Sequence, residues 1–238
     1  MVNKRAGFSL IELMIVLVIL LAISGAIFQV INTAIQRTSS EQTKLDMFQE
    51  GREFMDQMSR DLRMAGYPSP RNLDPSVLTQ DPIKRDLHGA VGLVKVATGD
   101  LWFEGDMDSD GAVEVVQYHL DTSTSNNCPC LKRSQLAKIN GDPLTGQTTA
   151  EYQVEVQGVQ NTTIFSAYNN GAAVGLPVTI SSSSGTLIAA VDTVQAILTL
   201  QGSTVDPQTR QRPVTTLVTT VRLNNCSQAA IGYQTSCQ

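Results

Sequence analysis

The residue types best suited to chemistry are concentrated in segment 106–114, which has the sequence DMDSDGAVE. Carboxylates recur there at alternate positions around a glycine, a spacing that directs several oxygens at one hard cation such as Ca²⁺. The predicted ligands are Asp106, Asp108, Asp110, the Ala112 carbonyl, and Glu114 either directly or through water. The twelfth position is Gln117 instead of the bidentate Glu of an EF-hand, so we expect weak affinity. The alternative is a solvated hairpin turn, which Asp and Gly also favour.

Outside this segment, the sequence lacks the usual signatures of catalysis, since HExxH, GxSxG, GxxxxGK[ST] and GxGxxG are all absent. Two histidines and one tryptophan leave little material for a His-rich metal site or an aromatic nucleic-acid platform. The chain has 17 Lys and Arg against 22 Asp and Glu, and its net charge of -5 disfavours direct nucleic-acid binding. We therefore expect a non-enzymatic protein that requires no cofactor, with Ca²⁺ as a candidate ligand.

The N-terminal segment 8–31 is strongly apolar and includes an unbroken apolar run over 13–23. About 20 apolar residues cross the hydrocarbon core as a helix, so this segment predicts a membrane span. Lys4 and Arg5 precede it, and basic residues hold their end in the cytoplasm, which places everything after Ile31 across the membrane. Glu12 lies inside the span, where a carboxylate costs about 2.5 kcal/mol or more and usually has a partner.

The sequence KRAGFSLIEL at 4–13 resembles the processing site of type IV prepilins, with a basic leader ending in Gly7 and followed by Phe8 and Glu12. The resemblance implies that prepilin peptidase cleaves between Gly7 and Phe8, methylates the new Phe8 amine, and leaves the helix in place. It also implies that Glu12 pairs with the Phe8 amine of a neighbouring subunit. Opposite charges buried together cost far less than either alone, which agrees with such pairing. The alternative is a plain signal anchor in which Glu12 has no role.

Helical spacing of apolar residues continues past the membrane segment and predicts an amphipathic continuation over 32–65. The apolar stripe consists of Ile31, Ile35, Leu45, Phe48, Met55, Met58, Leu62 and Ala65. Gly66, followed by Pro68 and Pro70, is expected to end the helix. Partner helices are expected to cover this stripe, together with the chain's own β domain along its second half.

Beyond the helix, short alternating apolar runs separated by turn residues predict an antiparallel β domain. Strands are predicted at 91–97, 101–104, 113–120, 152–159, 191–200 and 214–223, and turns at 169–175 and 181–185.

Two further segments resemble PilW-type minor pilins: the sequence RDLRMAGY at 60–67, and a closing hairpin of 190–200 with 213–225. The resemblance implies a pilin-like α+β fold, in which a long N-terminal helix packs on an antiparallel β-sheet domain. The expected organisation is a leader at 1–7, a transmembrane assembly helix at 8–31, its amphipathic continuation at 32–65, and a head domain at 66–238.

Four cysteines in an exported domain predict disulfide bonding. Many pilins close their C-terminal region with a disulfide, and this resemblance makes Cys226 with Cys237 the preferred pair. Cys128 and Cys130 flank Pro129 and are expected to lie too close for an easy bridge, so crossed pairings with the C-terminal cysteines remain open. A zinc site built from the cysteines is an alternative that compartment and spacing disfavour.

The resemblance implies a minor pilin, a non-catalytic subunit that primes or caps a type IV pilus serving adhesion, motility or DNA uptake. Its implied partners are other minor and major pilins, prepilin peptidase and the inner-membrane assembly platform. The implied location is the inner membrane, with a cytoplasmic N-terminus and a periplasmic head, and then the pilus at the cell surface. The alternatives are a type II secretion pseudopilin of the J kind and a membrane-anchored binding module or adhesin that uses the 106–114 segment.

Overall fold

The computed structural model describes residue 7 and the ranges 9–68, 89–123, 128–139, 143–144, 150–180, 188–206 and 209–224, together with two short strands at 227–228 and 235–236.

One helix, α1, spans Leu10–Met64 and begins after the extended residue Ser9. It ends where Gly66 takes a φ of 79°, which a glycine adopts at little cost. The prediction of a helix over 8–65 therefore agrees with the structure within two residues at each end. No break interrupts the helix between its strongly apolar first half and the second half that joins the head.

Twelve strands follow, all paired antiparallel within the described residues. They are β1 (Leu93–Val96), β2 (Asp100–Gly105), β3 (Glu114–Asp121), β4 (Cys130–Ala137), β5 (Gln153–Gln157), β6 (Phe165–Asn169), β7 (Ala172–Val174), β8 (Val178–Thr179), β9 (Thr193–Gln201), β10 (Val214–Arg222), β11 (Ser227–Gln228) and β12 (Thr235–Ser236). A six-stranded sheet has the order β5-β4-β3-β2-β1-β8, a four-stranded sheet has the order β10-β9-β6-β7, and β11 pairs with β12.

A single hydrophobic core unites the end of α1 with both larger sheets. Met58 and Leu62 of the helix are fully buried in it, together with Tyr118 of the first sheet and Leu198 of the second. The predicted α+β class, with one long helix packed on antiparallel sheets, is thus confirmed.

Glycines allow two close approaches between α1 and the strands. A Cβ at Gly51 would lie 2.5 Å from Leu217 Cδ1 and 2.8 Å from Leu200 Cδ1, so the absent side chain lets the helix contact β9 and β10. At Gly105, the last residue of β2, a Cβ would collide with the carbonyl oxygen of Met64. The last turn of the helix therefore rests directly on the backbone of β2.

All six predicted strands coincide with observed ones, while the sequence did not predict β4, β6, β7, β8, β11 or β12. The segment predicted as a turn at 169–175 contains the turn between β6 and β7 and all of β7. Its turn residues Asn170 and Gly171 both have positive φ, of 47° and 80°, as a tight hairpin requires. The second predicted turn, 181–185, lies outside the described residues.

Candidate functional site

The predicted processing site lies at the start of α1. Gly7 is exposed just before the helix, and Glu12 is exposed in the first helical turn, where its N–H donates a 3.0 Å hydrogen bond to the Ser9 carbonyl. Lys4, Arg5 and Phe8 lie outside the described residues. A negative side chain in the first turn interacts favourably with the helix dipole, so Glu12 is compatible with the helix whether or not it has a partner.

The apolar surface of α1 divides into two parts. Within the described residues, its large apolar side chains from Leu10, which is 79% exposed, to Phe48 are exposed, except that Met47 is partly buried against the core. Those that follow, Phe54, Met55, Met58 and Leu62, are buried against the sheets. By length and composition α1 could cross a membrane, and none of its most apolar stretch is buried within the structure. The head thus covers only the second half of the predicted stripe.

A charged cluster attaches this second half to the six-stranded sheet. Tyr118 Oη donates a 2.7 Å hydrogen bond to Asp61 Oδ2, and Arg133 Nε donates to the same oxygen at 2.8 Å. Arg133 Nη2 also lies 2.8 Å from this oxygen and forms an ion pair with it. Burial, followed by the negative charge of Asp61, raises the pKa of the Tyr118 hydroxyl well above its usual value. The Tyr118 ring also packs edge-on against Phe54, with centroids 5.6 Å apart. The sequence did not predict this attachment, because its residues come from three separate segments.

A buried ion pair lies beside the helix end. Lys138 Nζ is 2.8 Å from Glu104 Oε2, and both side chains are only 1% exposed. Lys138 also donates to the Gly89 carbonyl at 2.7 Å, and the Val91 N–H donates to Glu104 Oε2 at 3.0 Å. Glu104 Oε1 is buried without a hydrogen-bond partner among the described residues. No sequence pattern identified this pair, because Glu104 and Lys138 lie on opposite sides of the β3–β4 hairpin in the chain.

The acidic segment forms the connection between β2 and β3, so it is a hairpin loop flanked by strands, as the sequence predicted. Single carboxylate oxygens of Asp106, Asp108 and Glu114 all lie within 4.8 Å of one another. Asp106 and Glu114 are buried and Asp108 is exposed. Three of the predicted metal ligands are therefore brought together.

The other two predicted ligands are Asp110 and the Ala112 carbonyl, and of these Asp110 is placed differently. The Asp110 carboxylate does not belong to this group, and its Oδ1 accepts a 2.8 Å hydrogen bond from the Ala112 N–H. Gln117, at the twelfth position, points its Oε1 at the Tyr152 hydroxyl from within β3, at 2.8 Å. The loop is thus not arranged as an EF-hand.

The acidic group is held by backbone hydrogen bonds. The Gly111 N–H donates to Asp106 Oδ2 at 3.1 Å, and the Met107 N–H donates to Glu114 Oε2 at 2.8 Å. Burial raises the pKa of the Glu114 carboxyl, and the negative charges of the three neighbouring aspartates raise it further, while the Met107 N–H opposes them. The site therefore concentrates negative charge at one point of the surface.

The cysteines are paired differently from the expectation. Cys128 and Cys130 form a disulfide, with their Cα atoms 4.5 Å apart, just inside the usual range for such bonds. The expectation that these two residues lie too close to bridge is therefore wrong, and so are the crossed pairings. The bonded sulfurs are also not thiolates that could hold zinc. The preferred pair, Cys226 with Cys237, lies outside the described residues.

The N-terminal sequence matches a known family model, described as "Prokaryotic N-terminal methylation motif", over residues 2–28. No curated protein shows significant sequence similarity to this chain. Among solved structures, the type IV-like pilin TTHA1219 from Thermus thermophilus is similar with a TM-score of 0.43 and 10% identity, over 75% of this chain and 97% of that one. The chain thus carries the N-terminal methylation motif at the start of one long helix, whose strongly apolar first half is followed by an end that packs on antiparallel sheets.

Proposed function

We propose that this chain is a minor pilin. The inner membrane holds it by α1, prepilin peptidase cleaves it between Gly7 and Phe8 and methylates Phe8, and it then joins other pilins at the cell surface. The observation that carries the proposal is the division of α1. Its first part carries a methylation motif and an apolar surface that the described head leaves uncovered, and the described head contacts it only from Thr43 onwards.

An uncovered apolar surface of this length is stable only in lipid or against other apolar helices. Glu12 is the sole charged residue in segment 8–31, so it would need a positive partner in either setting. The Phe8 amine of a neighbouring subunit supplies that charge once the leader is removed. Glu12 thereby sets the register in which one helix joins the next, and the inner-membrane platform supplies the neighbours.

The large head supports a minor over a major role, since it places two sheets of six and four strands on one helix. A subunit that primes or caps a filament uses such a surface for specific contacts, whereas a repeated subunit needs only a compact head. The proposed role is structural and non-catalytic.

The first test is intact-mass spectrometry of the protein extracted from a peptidase-competent cell. We expect a chain that starts at methylated Phe8. A chain that still starts at Met1 would contradict the proposed processing.

The second test compares Glu12→Ala with Glu53→Ala, which removes an exposed carboxylate from the same helix outside the membrane segment. Incorporation is measured as the amount of the protein in sheared fibres, divided by its amount in the membrane. We expect Glu12→Ala to lower incorporation about tenfold, because the Phe8 amine of the neighbouring subunit then remains as an unpaired charge in an apolar bundle. Glu53→Ala should leave incorporation unchanged.

Two outcomes of this comparison support other functions. Recovery of the protein in periplasmic filaments that protein secretion requires, instead of surface fibres, would assign it to a type II pseudopilus. If the protein with Glu12→Ala keeps its full function in the cell, the result would instead favour an anchored binding module or adhesin.

A further inference from the structure

The β2–β3 loop brings three carboxylates together, and no described residue supplies them with a positive partner. Asp106, Asp108 and Glu114 offer oxygens that lie within 4.8 Å of one another, and none of the three forms an ion pair with any described residue. Like charges at this separation repel, and partial burial strengthens the repulsion because it lowers the local dielectric constant. The folded loop therefore carries an electrostatic cost that a bound cation would remove.

Asp106 provides an independent indication of a missing ligand. Its side chain is only 3% exposed, and its Oδ2 accepts the Gly111 N–H. The other oxygen, Oδ1, is buried and has no hydrogen-bond partner among the described residues. A buried acceptor without a partner is costly and rare, and here it belongs to a carboxylate of the three-membered group.

The donor set selects the class of cation. All three side chains are carboxylates, which suit hard cations, while zinc prefers nitrogen and sulfur ligands. The loop is short and partly exposed, and water can complete a coordination shell of six to eight oxygens. Ca²⁺ tolerates such irregular shells, whereas Mg²⁺ requires a near-ideal octahedron and loses its own water reluctantly.

We propose that Asp106, Asp108 and Glu114 bind one Ca²⁺ ion, and that the ion fastens the β2–β3 loop beside the end of α1. The loop already contacts that end through its backbone, since the Asp106 N–H donates to the Tyr67 carbonyl at 2.9 Å and the Gly66 N–H donates to the Glu104 carbonyl at 2.8 Å. The ion acts at the junction between helix and head. The proposal is independent of the assembly role, and it excludes Asp110 from the ligand set.

The exclusion of Asp110 provides a matched pair of variants. Asp108→Asn and Asp110→Asn remove the same charge from the same exposed loop, and in each the Asn oxygen can keep the backbone hydrogen bond that the Asp oxygen accepts. Asp108 accepts from the Asp110 N–H at 3.2 Å, and Asp110 accepts from the Ala112 N–H at 2.8 Å. Neither variant should prevent folding, so a difference between them reports on coordination.

The test is calorimetric titration of the metal-free, detergent-solubilised full-length protein with CaCl₂, and separately with MgCl₂. We expect one Ca²⁺ per chain with a dissociation constant of about 0.1–1 mM, as in extracellular calcium modules, and much weaker binding of Mg²⁺. Asp108→Asn should weaken Ca²⁺ binding about tenfold or more, and Asp110→Asn by less than about threefold, because only Asp108 coordinates the ion.

Thermal unfolding gives a second measurement. At about ten times the dissociation constant, Ca²⁺ should raise the Tm of the wild-type head by about 3 °C, and it should have no such effect on Asp108→Asn. Absence of saturable binding to the folded wild type at roughly 10 mM Ca²⁺ would overturn the proposal. Equal weakening by both variants, or no weakening by Asp108→Asn, would overturn it as well, because either result places the ion elsewhere or leaves only diffuse attraction.

Discussion

The hydroxyl of Tyr118 lies 2.7 Å from Asp61 Oδ2, and this hydrogen bond joins the middle of β3 to the last turns of α1. Both groups are largely withdrawn from water, and Arg133 neutralises the carboxylate at the same oxygen, Oδ2. The helix is therefore attached to the head by a charged contact in addition to the apolar packing of Met58 and Leu62.

Tyr118→Phe should lower the free energy of unfolding by about 2 kcal/mol, because it removes a hydrogen bond to a charged acceptor and keeps the ring. Urea unfolding of the detergent-solubilised protein measures the change. Tyr168→Phe is the control, since its hydroxyl donates to a neutral partner, Gln195, at 3.1 Å, and should cost about 1 kcal/mol or less. An equal loss of unfolding free energy in the two variants would show that the hydrogen bond to Asp61 is no stronger than one to a neutral partner.

Gly105→Ala should destabilise the head by about 2 kcal/mol, because the new Cβ collides with the Met64 carbonyl and forces the helix end away from β2. Gly175→Ala is its control, since a Cβ there has no neighbour within 4 Å, and we expect a change within about 0.5 kcal/mol. The same urea titration measures both variants. A Gly105→Ala protein as stable as the wild type would show that the helix end is not fixed on the strand.

Lys138→Met should cost about 3–5 kcal/mol, because it leaves the buried Glu104 carboxylate without its cation. Adding Glu104→Gln should recover at least about 1 kcal/mol of that loss, since the amide oxygen can still accept the Val91 N–H while the buried charge disappears. Unfolding of the two single variants and the double variant forms the required cycle. A double variant less stable than Lys138→Met alone would contradict the assignment.

Asp100 should contribute to acid sensitivity. Its hydrogen bond to His119, at 2.7 Å, and then its contact with Lys95 hold the pKa of the carboxyl below its usual value, although burial opposes them. A lowered pKa in the folded state gives stability that is present above the usual carboxyl pKa and is lost as the pH falls through the folded value.

The difference in unfolding free energy between wild type and Asp100→Asn should therefore shrink as the pH is lowered from about 5 to 2. Unfolding curves collected across this range measure it. A difference that stays constant with pH would show that the ionised carboxylate contributes no stability.

The sequence predicted those parts of the fold that local pattern determines. The apolar run and its helical spacing located α1, and alternating apolar residues located β3, β9 and β10. Strand β4 was not predicted because Lys132 and Arg133 interrupt its apolar positions. Both residues are explained only by their partners from other segments, Asp121 and Asp61. The β6–β7 hairpin could have been predicted, since its Asn170-Gly171 pair is a strong two-residue turn signal.

The acidic loop shows the same division between local and distant determinants. The alternate spacing predicted that Asp106, Asp108 and Glu114 lie close together, and they do, because the loop is short and begins and ends on neighbouring strands. Spacing alone could not separate Asp110 from this group, since its orientation follows from a local hydrogen bond to the Ala112 N–H. Spacing also did not predict that Asp106 is buried, or that its N–H donates to the carbonyl of Tyr67, which lies far from it in the sequence.

The unbroken course of α1 has a geometric consequence. From Ile31, where the expected membrane segment ends, to Thr43, which the Thr204 hydroxyl of the described head contacts at 3.4 Å, a straight helix advances about 18 Å. For a helix that stands upright in the bilayer, the described head begins that far above the expected membrane segment. The helices of neighbouring subunits can lie alongside this part of α1 before any two heads meet.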